Sequence, residues 1–316
     1  MRKRYALLSV FLCLLAFLCA CKKSAKEERI PAAKAKSTKP EEKRVQATPK
    51  TWSLEQLHVL EGFSVPECVA PDPRQRRIYI SNIHAEEGEY WEDNGKGFIS
   101  EATYDGELLH LRWKESSEER PIHAPKGMCV SSDHLYINDN TRILVTTTRR
   151  LDEVSVVEEL SGQRLNDLAA DGPRLLISDT AAGIVYLVDE NANIIEIPAP
   201  ETVNGVTFHK DRIFAVSWDH PDLYELDPKG KEAPRSFGLT EHFSNLDGIE
   251  VLEDGTFLVS DFTGNKISAV SPDEKSVRTL VEIETPADFG LDEKEGLLFV
   301  PQFMKDRVVI FKLSGA

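Results

Sequence analysis

Short apolar segments, most of them ending in Ser, Asn or Asp, recur down the chain. They are IYISNI (78–83), LYINDN (135–140), LLISDT (175–180), IFAVSWD (213–219), FLVSDF (257–262) and LFVPQF (298–303). Each is rich in β-branched or aromatic residues and bounded by turn residues, the pattern of a short strand. Another short segment stands before each: PECVA, PKGMCV, LNDLAA, VNGVTF, LDGIEV and PADFGL. A third strand follows, as in GIVYLVDENAN and RVVIFKL. Apart from a longer first copy, the six copies are spaced by about 40 residues, and no stretch of ordinary helix length shows a clear 3.6-residue period. Four-stranded units of this period predict an all-β, six-bladed β-propeller over 51–316, because a closed ring leaves no long sheet edge exposed. The sixth copy runs out at Leu313 after three strands. The unassigned segment LEQLHVLEGF (54–63) alternates as a strand does, and is predicted to complete the last blade from the N-terminal side.

The first 50 residues follow different rules. MRKRYALLSVFLCLLAFLCA has a basic start and an apolar run that is short for a membrane span, which needs roughly 20 apolar residues. The LCAC at 18–21 resembles the lipobox of bacterial lipoproteins, which predicts a signal peptide over 1–20 and lipidation of Cys21. Acyl chains anchor at about 0.8 kcal/mol per buried CH₂. Residues 21–50 contain no aromatic residue and almost no apolar periodicity, the composition of a flexible tether. The expected location is the bacterial cell envelope, on the outer membrane facing the periplasm or at the cell surface. Lys22 after the lipidated cysteine lacks the Asp associated with inner-membrane retention.

Charge sharpens the division. Residues 1–50 carry 13 Lys or Arg against 4 Glu, so of the −15 of the whole chain the body 51–316 holds −24. An acidic body excludes a phosphate-backbone reader, and no nucleic-acid partner is expected. Only Cys68 and Cys129 lie in the body, with no CxxC; buried free thiols are expected rather than a disulfide. The eight histidines lack ligand spacing and read as surface or loop residues.

The chemistry-bearing positions open the innermost strand of each blade. In order they are Glu67, Lys126, Asn166, Asn204, Asp247 and Ala287, expected at one level around the channel mouth. Asn-Gly and Asp-Gly are also ordinary turn pairs. Four oxygen-bearing side chains in one register point further, to a hard divalent cation such as calcium or magnesium. Zinc would call for His or Cys, which the ring lacks.

The body, over roughly 54–314, resembles the senescence-marker-protein/gluconolactonase (regucalcin-like) family. The resemblance rests on VPECVAPDPRQRRIYISNI, NGKGFIS, APKGMCV, LNDLAADGPRLLISDT, VNGVTF, LDGIEVLEDGTFLVSD and PADFGLDEKEGLLFVPQF. It implies a six-bladed propeller with a divalent cation, calcium for preference, held by Glu67, Asn204 and Asp247. It also implies substrate contacts from Arg164, Asn166 and Asp167. PECVAPD lacks the tryptophan-bearing segment usual after the Glu, and the loop HAEEGEYWEDNGK (84–96) differs from the substrate lid of the hydrolases. Asp288, beside Ala287, is a secondary ligand or base candidate.

Two functions follow. One is hydrolysis of a lactone or carboxylic ester bound in the channel mouth, with Asp247 as base. Arg164 and Asn166 would hold substrate oxygens. Lys126 would either stabilise the oxyanion or offset carboxylate repulsion. The other is a non-catalytic platform that binds a small ligand or a protein. The acidic loop 84–96, with Tyr90 and Trp91, is then the expected partner surface.

Overall fold

A computed structural model describes residues 50–149 and 154–316. The signal, lipidation and tether expectations for 1–49, Cys21 included, lie outside the described residues. The body is all-β: six four-stranded antiparallel sheets set around a ring, with two single-turn 3₁₀ segments. Blades 1 to 5 are each a continuous run of four strands, opening with Pro66–Asp72, Pro125–Ser131, Leu165–Asp171, Val203–His209 and Leu246–Val251.

The sixth sheet joins chain ends. Trp52–Glu61 pairs antiparallel with the C-terminal strand Arg307–Gly315, which pairs with Leu297–Gln302 and then the inner Gly290–Asp292. The N-terminal strand therefore begins two residues earlier than the alternation in 54–63 suggests. The inner strand of this blade is shorter than PADFGL implies. Pro286 and Asp288 make only isolated bridges, to Gln302 and to Cys68 of blade 1, because Asp288 is drawn toward the neighbouring blade.

The apolar cores lie between blades. Leu176, Val185 and Ile197 of blade 3 pack on Val206, Ile213 and Ala215 of blade 4, and every neighbouring pair of blades shares such a cluster. Strands buried on both faces explain the near-continuous apolar runs such as LLIS and FLVS. The ring axis is thus left to small and polar side chains.

Candidate functional site

One device, repeated in blades 1 to 5, aims the ring residues. In each inner strand the pairing register slips over two residues: Glu67–Cys68, Lys126–Gly127, Asn166–Asp167, Asn204–Gly205 and Asp247–Gly248. A bulge of this kind bends the strand and re-aims its side chains. The second strand compensates for the lost ladder bonds. Ser81, Ser178 and Ser260 accept the N–H groups of Cys68, Asp167 and Gly248 at 2.7–2.9 Å. The next residue caps the loop before the bulge. Asp139 accepts from His123 and Ala124, Asp179 from Gln163 and Arg164, and Asp261 from Ser244 and Asn245. The recurrent Ser-Asp endings of the sequence are therefore positioning residues for the mouth.

The first bulge residues form the expected ring. Glu67, Lys126, Asn166, Asn204 and Asp247 are all buried, as is Ala287. Asn204 lies beside Asp247 and favours its ionised form, and Asn166 donates to Thr180 Oγ1 at 3.1 Å. Two carboxylate oxygens, Glu67 Oε2 and Asp247 Oδ1, are buried without any hydrogen-bond partner. Burial raises the Glu67 carboxyl well above its usual range; Lys126 opposes this, and the charges of Asp247 and Asp167 add to it. Asp247 is lifted to about 7, first by burial and then by Asp167, against Lys126 and the Asn204 amide. Burial also brings Lys126 down to about 8 despite the carboxylates around it. Val65 and Thr202, two positions before Glu67 and Asn204, take left-handed backbone (φ 51° each), a strain of order 1–3 kcal/mol apiece that recurs at functional sites.

The second bulge residues form a layer below. A Cβ on Gly127, Gly205 or Gly248 would stand 2.4–2.8 Å from the inner strand of the next blade, so these positions are glycine. Blade 3 has Asp167 instead. It accepts Val206 N–H from blade 4 at 2.7 Å and Leu168 N–H at 2.6 Å, and its charge is felt by Asp288 of the opposite blade. Asp167 is therefore held as a strut between inner strands. Asp288 likewise faces Asp167 and the Cys68 thiol, below the ligand level. Cys68 and Cys129 are buried free thiols raised by burial, with Cys68 Sγ accepting Met128 N–H at 3.2 Å. Glu250, deeper in the channel, is pushed up to about 8 chiefly by burial and accepts from Thr207.

Loop 84–96 turns toward the mouth, with Tyr90 and Trp91 half-buried. The Lys126 ammonium donates to the Tyr90 carbonyl at 2.5 Å and sits 4.3 Å from the Trp91 ring centroid, and the Arg164 guanidinium lies 5.4 Å from the same ring. Asn140 of blade 2 ties the loop down through Asp93 at 2.7 Å. The loop is a cover over the cationic side of the mouth, a placement invisible in sequence because it has no periodicity. None of the histidines is buried, and none joins the ring. Among the described residues no group of three or more His, Cys, Asp or Glu is placed to hold a metal. The ring brings two carboxylates and an amide instead. A cleft of about 620 Å³ lies between blades 5 and 6, lined by residues such as Leu54, Lys266 and Phe311, and contains none of the ring residues.

No protein-family model and no curated protein matches the sequence. Solved structures do match the fold. A gluconolactonase from Xanthomonas campestris, 13% identical, aligns at a TM-score of 0.62 over 85% of this chain and 96% of its own. A putative gluconolactonase, 16% identical, aligns at 0.61 over 84% and 93%. Virginiamycin B lyase from Staphylococcus aureus, 12% identical, aligns at 0.57 over 83% and 99%. The resemblance to gluconolactonases holds at the level of fold. Proteins named for two different reactions share it, so the chemistry has to be argued from the side chains.

Proposed function

We propose that the chain is a divalent-cation-dependent hydrolase of lactones or carboxylic esters, working at the channel mouth. The observation that carries this reading is the pair of buried, unpartnered oxygens Glu67 Oε2 and Asp247 Oδ1 beside the Asn204 amide. Leaving buried carboxylate oxygens unpaired costs about 1–3 kcal/mol or more each, and a cation removes that cost. An all-oxygen donor set suits calcium or magnesium. A cation held by Glu67, Asn204 and Asp247 supplies Lewis-acid polarisation of a carbonyl. Asp247, kept ionised beside such a cation, would also be placed to take a proton from an attacking water. Arg164 is exposed at the rim, where its planar fork can hold substrate oxygens together with Asn166. Lys126 faces the same space, as a donor to a developing oxyanion.

The inward cover favours a second reading, a binding platform that closes on a small ligand without turning it over. One assay separates them: hydrolysis of lactones and aryl esters with calcium, with chelator, and in Asp247→Ala. Turnover that needs calcium and vanishes in the variant supports the hydrolase; calcium binding without turnover leaves the platform. The sequence at 18–21 supports anchoring of the propeller to the envelope through Cys21. Labelling with a fatty-acid analogue, lost in Cys21→Ala, tests that arm.

A further inference from the structure

The residue that follows each second strand forms a rim above the ring. In blades 1 to 6 it is Ile83, Asn140, Thr180, Trp218, Phe262 and Phe303. The equivalence is structural. The N–H groups of Ile83, Thr180, Trp218, Phe262 and Phe303 bond to the carbonyls of Val65, Arg164, Thr202, Asn245 and Thr285, each two residues ahead of its ring residue. Blades 4, 5 and 6 therefore carry an aromatic side chain at this level and blades 1, 2 and 3 do not. The three rings touch in sequence, Trp218 to Phe262 at 5.2 Å and Phe262 to Phe303 at 5.4 Å, and Tyr90 of the cover extends the arc with an edge contact to Phe303 at 5.0 Å.

This arc stands over the part of the ring where Asn204, Asp247 and Ala287 open blades 4 to 6. Trp218, Phe262 and Tyr90 are only half-buried, and Met304 next to Phe303 is 54% exposed. The opposite side of the mouth holds Lys126, Arg164, Asn166, Asn140 and Thr180. The mouth is thus divided, polar over blades 2 and 3 and aromatic over blades 4 to 6. Ligand sites combine an apolar wall with a few directed polar groups in this way.

We propose that Trp218 and Phe262 set substrate class, taking an alkyl or aryl substituent of the lactone or ester, so that apolar esters are preferred to polyhydroxylated sugar lactones. This rests on the hydrolase reading for turnover, though not for binding. A sugar lactone would set hydroxyl groups against the aromatic faces of the arc, which offer them only weak hydrogen bonding. An alkyl chain would cover rings that water now touches, directly above Asn204 and Asp247.

The test uses two lactones with the same six-membered ring, δ-decalactone and glucono-δ-lactone. With calcium present, kcat/KM should be higher for δ-decalactone. Trp218→Ala and Phe262→Ala should each lower it about tenfold for δ-decalactone, through KM, and leave glucono-δ-lactone within twofold; burial of part of an apolar substituent is of that size. A preference for the sugar lactone, or an equal loss on both, overturns the inference. Binding is measured separately in chelator, as the tryptophan emission change that δ-decalactone produces in wild type and not in Trp218→Phe. A Trp218-dependent change without turnover keeps the ligand class and rejects the hydrolase. Turnover without that change, and without a Trp218→Ala effect on KM, rejects the ligand class and keeps the hydrolase. Both variants are at half-buried rim positions, and an unchanged melting temperature excludes misfolding as the cause.

Discussion

The Trp91 ring lies 4.3 Å from the ammonium of Lys126, a buried cation of the next blade, while the carbonyl of the preceding Tyr90 accepts from the same ammonium. A loop that sequence leaves unstructured is thus fastened to a residue of the ring through both its backbone and a side chain. Arg164 reaches the other side of the arrangement at 5.4 Å and forms no ion pair among the described residues.

The first prediction concerns this fastening. A cation–π contact contributes about 0.5–2 kcal/mol depending on desolvation. Trp91→Ala should speed amide exchange across 86–96 by about 2–30-fold, with little change in global melting. Exchange rates equal to wild type would show that Asp93–Asn140 and the aromatic contact of Tyr90 hold the cover unaided.

A second prediction follows from the unpartnered oxygens. Calcium at 100 times its Kd should stabilise the fold by about 2.7 kcal/mol. In a domain of this size that is a rise in Tm of about 5–10 °C. Glu67→Gln and Asn204→Ala should abolish most of the rise. The apo Glu67→Gln protein should melt no lower than wild type, because the substitution removes a buried carboxylate whose Oε2 has no hydrogen-bond partner. A calcium-independent Tm would remove the cation from the proposed function.

The third concerns pH. On the outside of blade 4, Arg212 and Arg235 both donate to Glu225, at 2.7–3.2 Å, and extend to Glu274 on the next blade. Chiefly the Arg212 hydrogen bonds, with those of Arg235, hold Glu225 at about 2. An unfolded glutamate titrates near 4.3. Because the folded value is the lower one, the contribution is complete above pH ~4.3 and is lost as pH falls toward ~2. Acid unfolding of Glu225→Gln should take up about one proton fewer over that window. An unchanged pH dependence of stability between wild type and variant would place the network outside the folding equilibrium.

The sequence carried the propeller and its mouth because both are periodic. One Glu, Asn or Asp per copy at a fixed offset from a β-branched strand is a pattern that the blades preserve, and Glu67, Lys126, Asn166, Asn204 and Asp247 lie together in the structure. The orientation of Asp167 was not legible for a definite reason. Alternation along a strand sends the neighbour of a channel residue into the blade, but the register slip between Leu165 and Leu168 turns Asp167 toward the next inner strand instead. The aromatic rim was already visible as the residue after each second strand, as in VSW, SDF and PQF. Its meaning depended on knowing that these positions share a level. The inward turn of Trp91 had no signal, since isolated cation–π contacts leave no pattern along the chain.

The last prediction tests what joins the ends of the body. Trp52–Glu61 lies against Arg307–Gly315 along its whole length, from Trp52 opposite Gly315 to Glu61 opposite Arg307. It buries Trp52 in the core between blades 5 and 6 and Leu60 in the core between blades 6 and 1, so one strand serves two interfaces. Asp254 of blade 5 accepts from the Trp52 indole at 3.2 Å, and Arg278 donates to its carbonyl. Burying each of two large side chains contributes about 1.5–3 kcal/mol. The strand hydrogen bonds add to this, against a total stability of about 5–15 kcal/mol for a folded domain. Removal of 51–62 should therefore leave no cooperative thermal transition. Trp52→Ala alone should cost about 3–5 kcal/mol and lower Tm by about 6–20 °C. Leu57 and Val59 point outward on the same strand, 42% and 39% exposed, so Leu57→Ser with Val59→Ser should leave Tm nearly unchanged. A truncated protein that melts with the wild-type midpoint would show that the ring holds without its N-terminal strand.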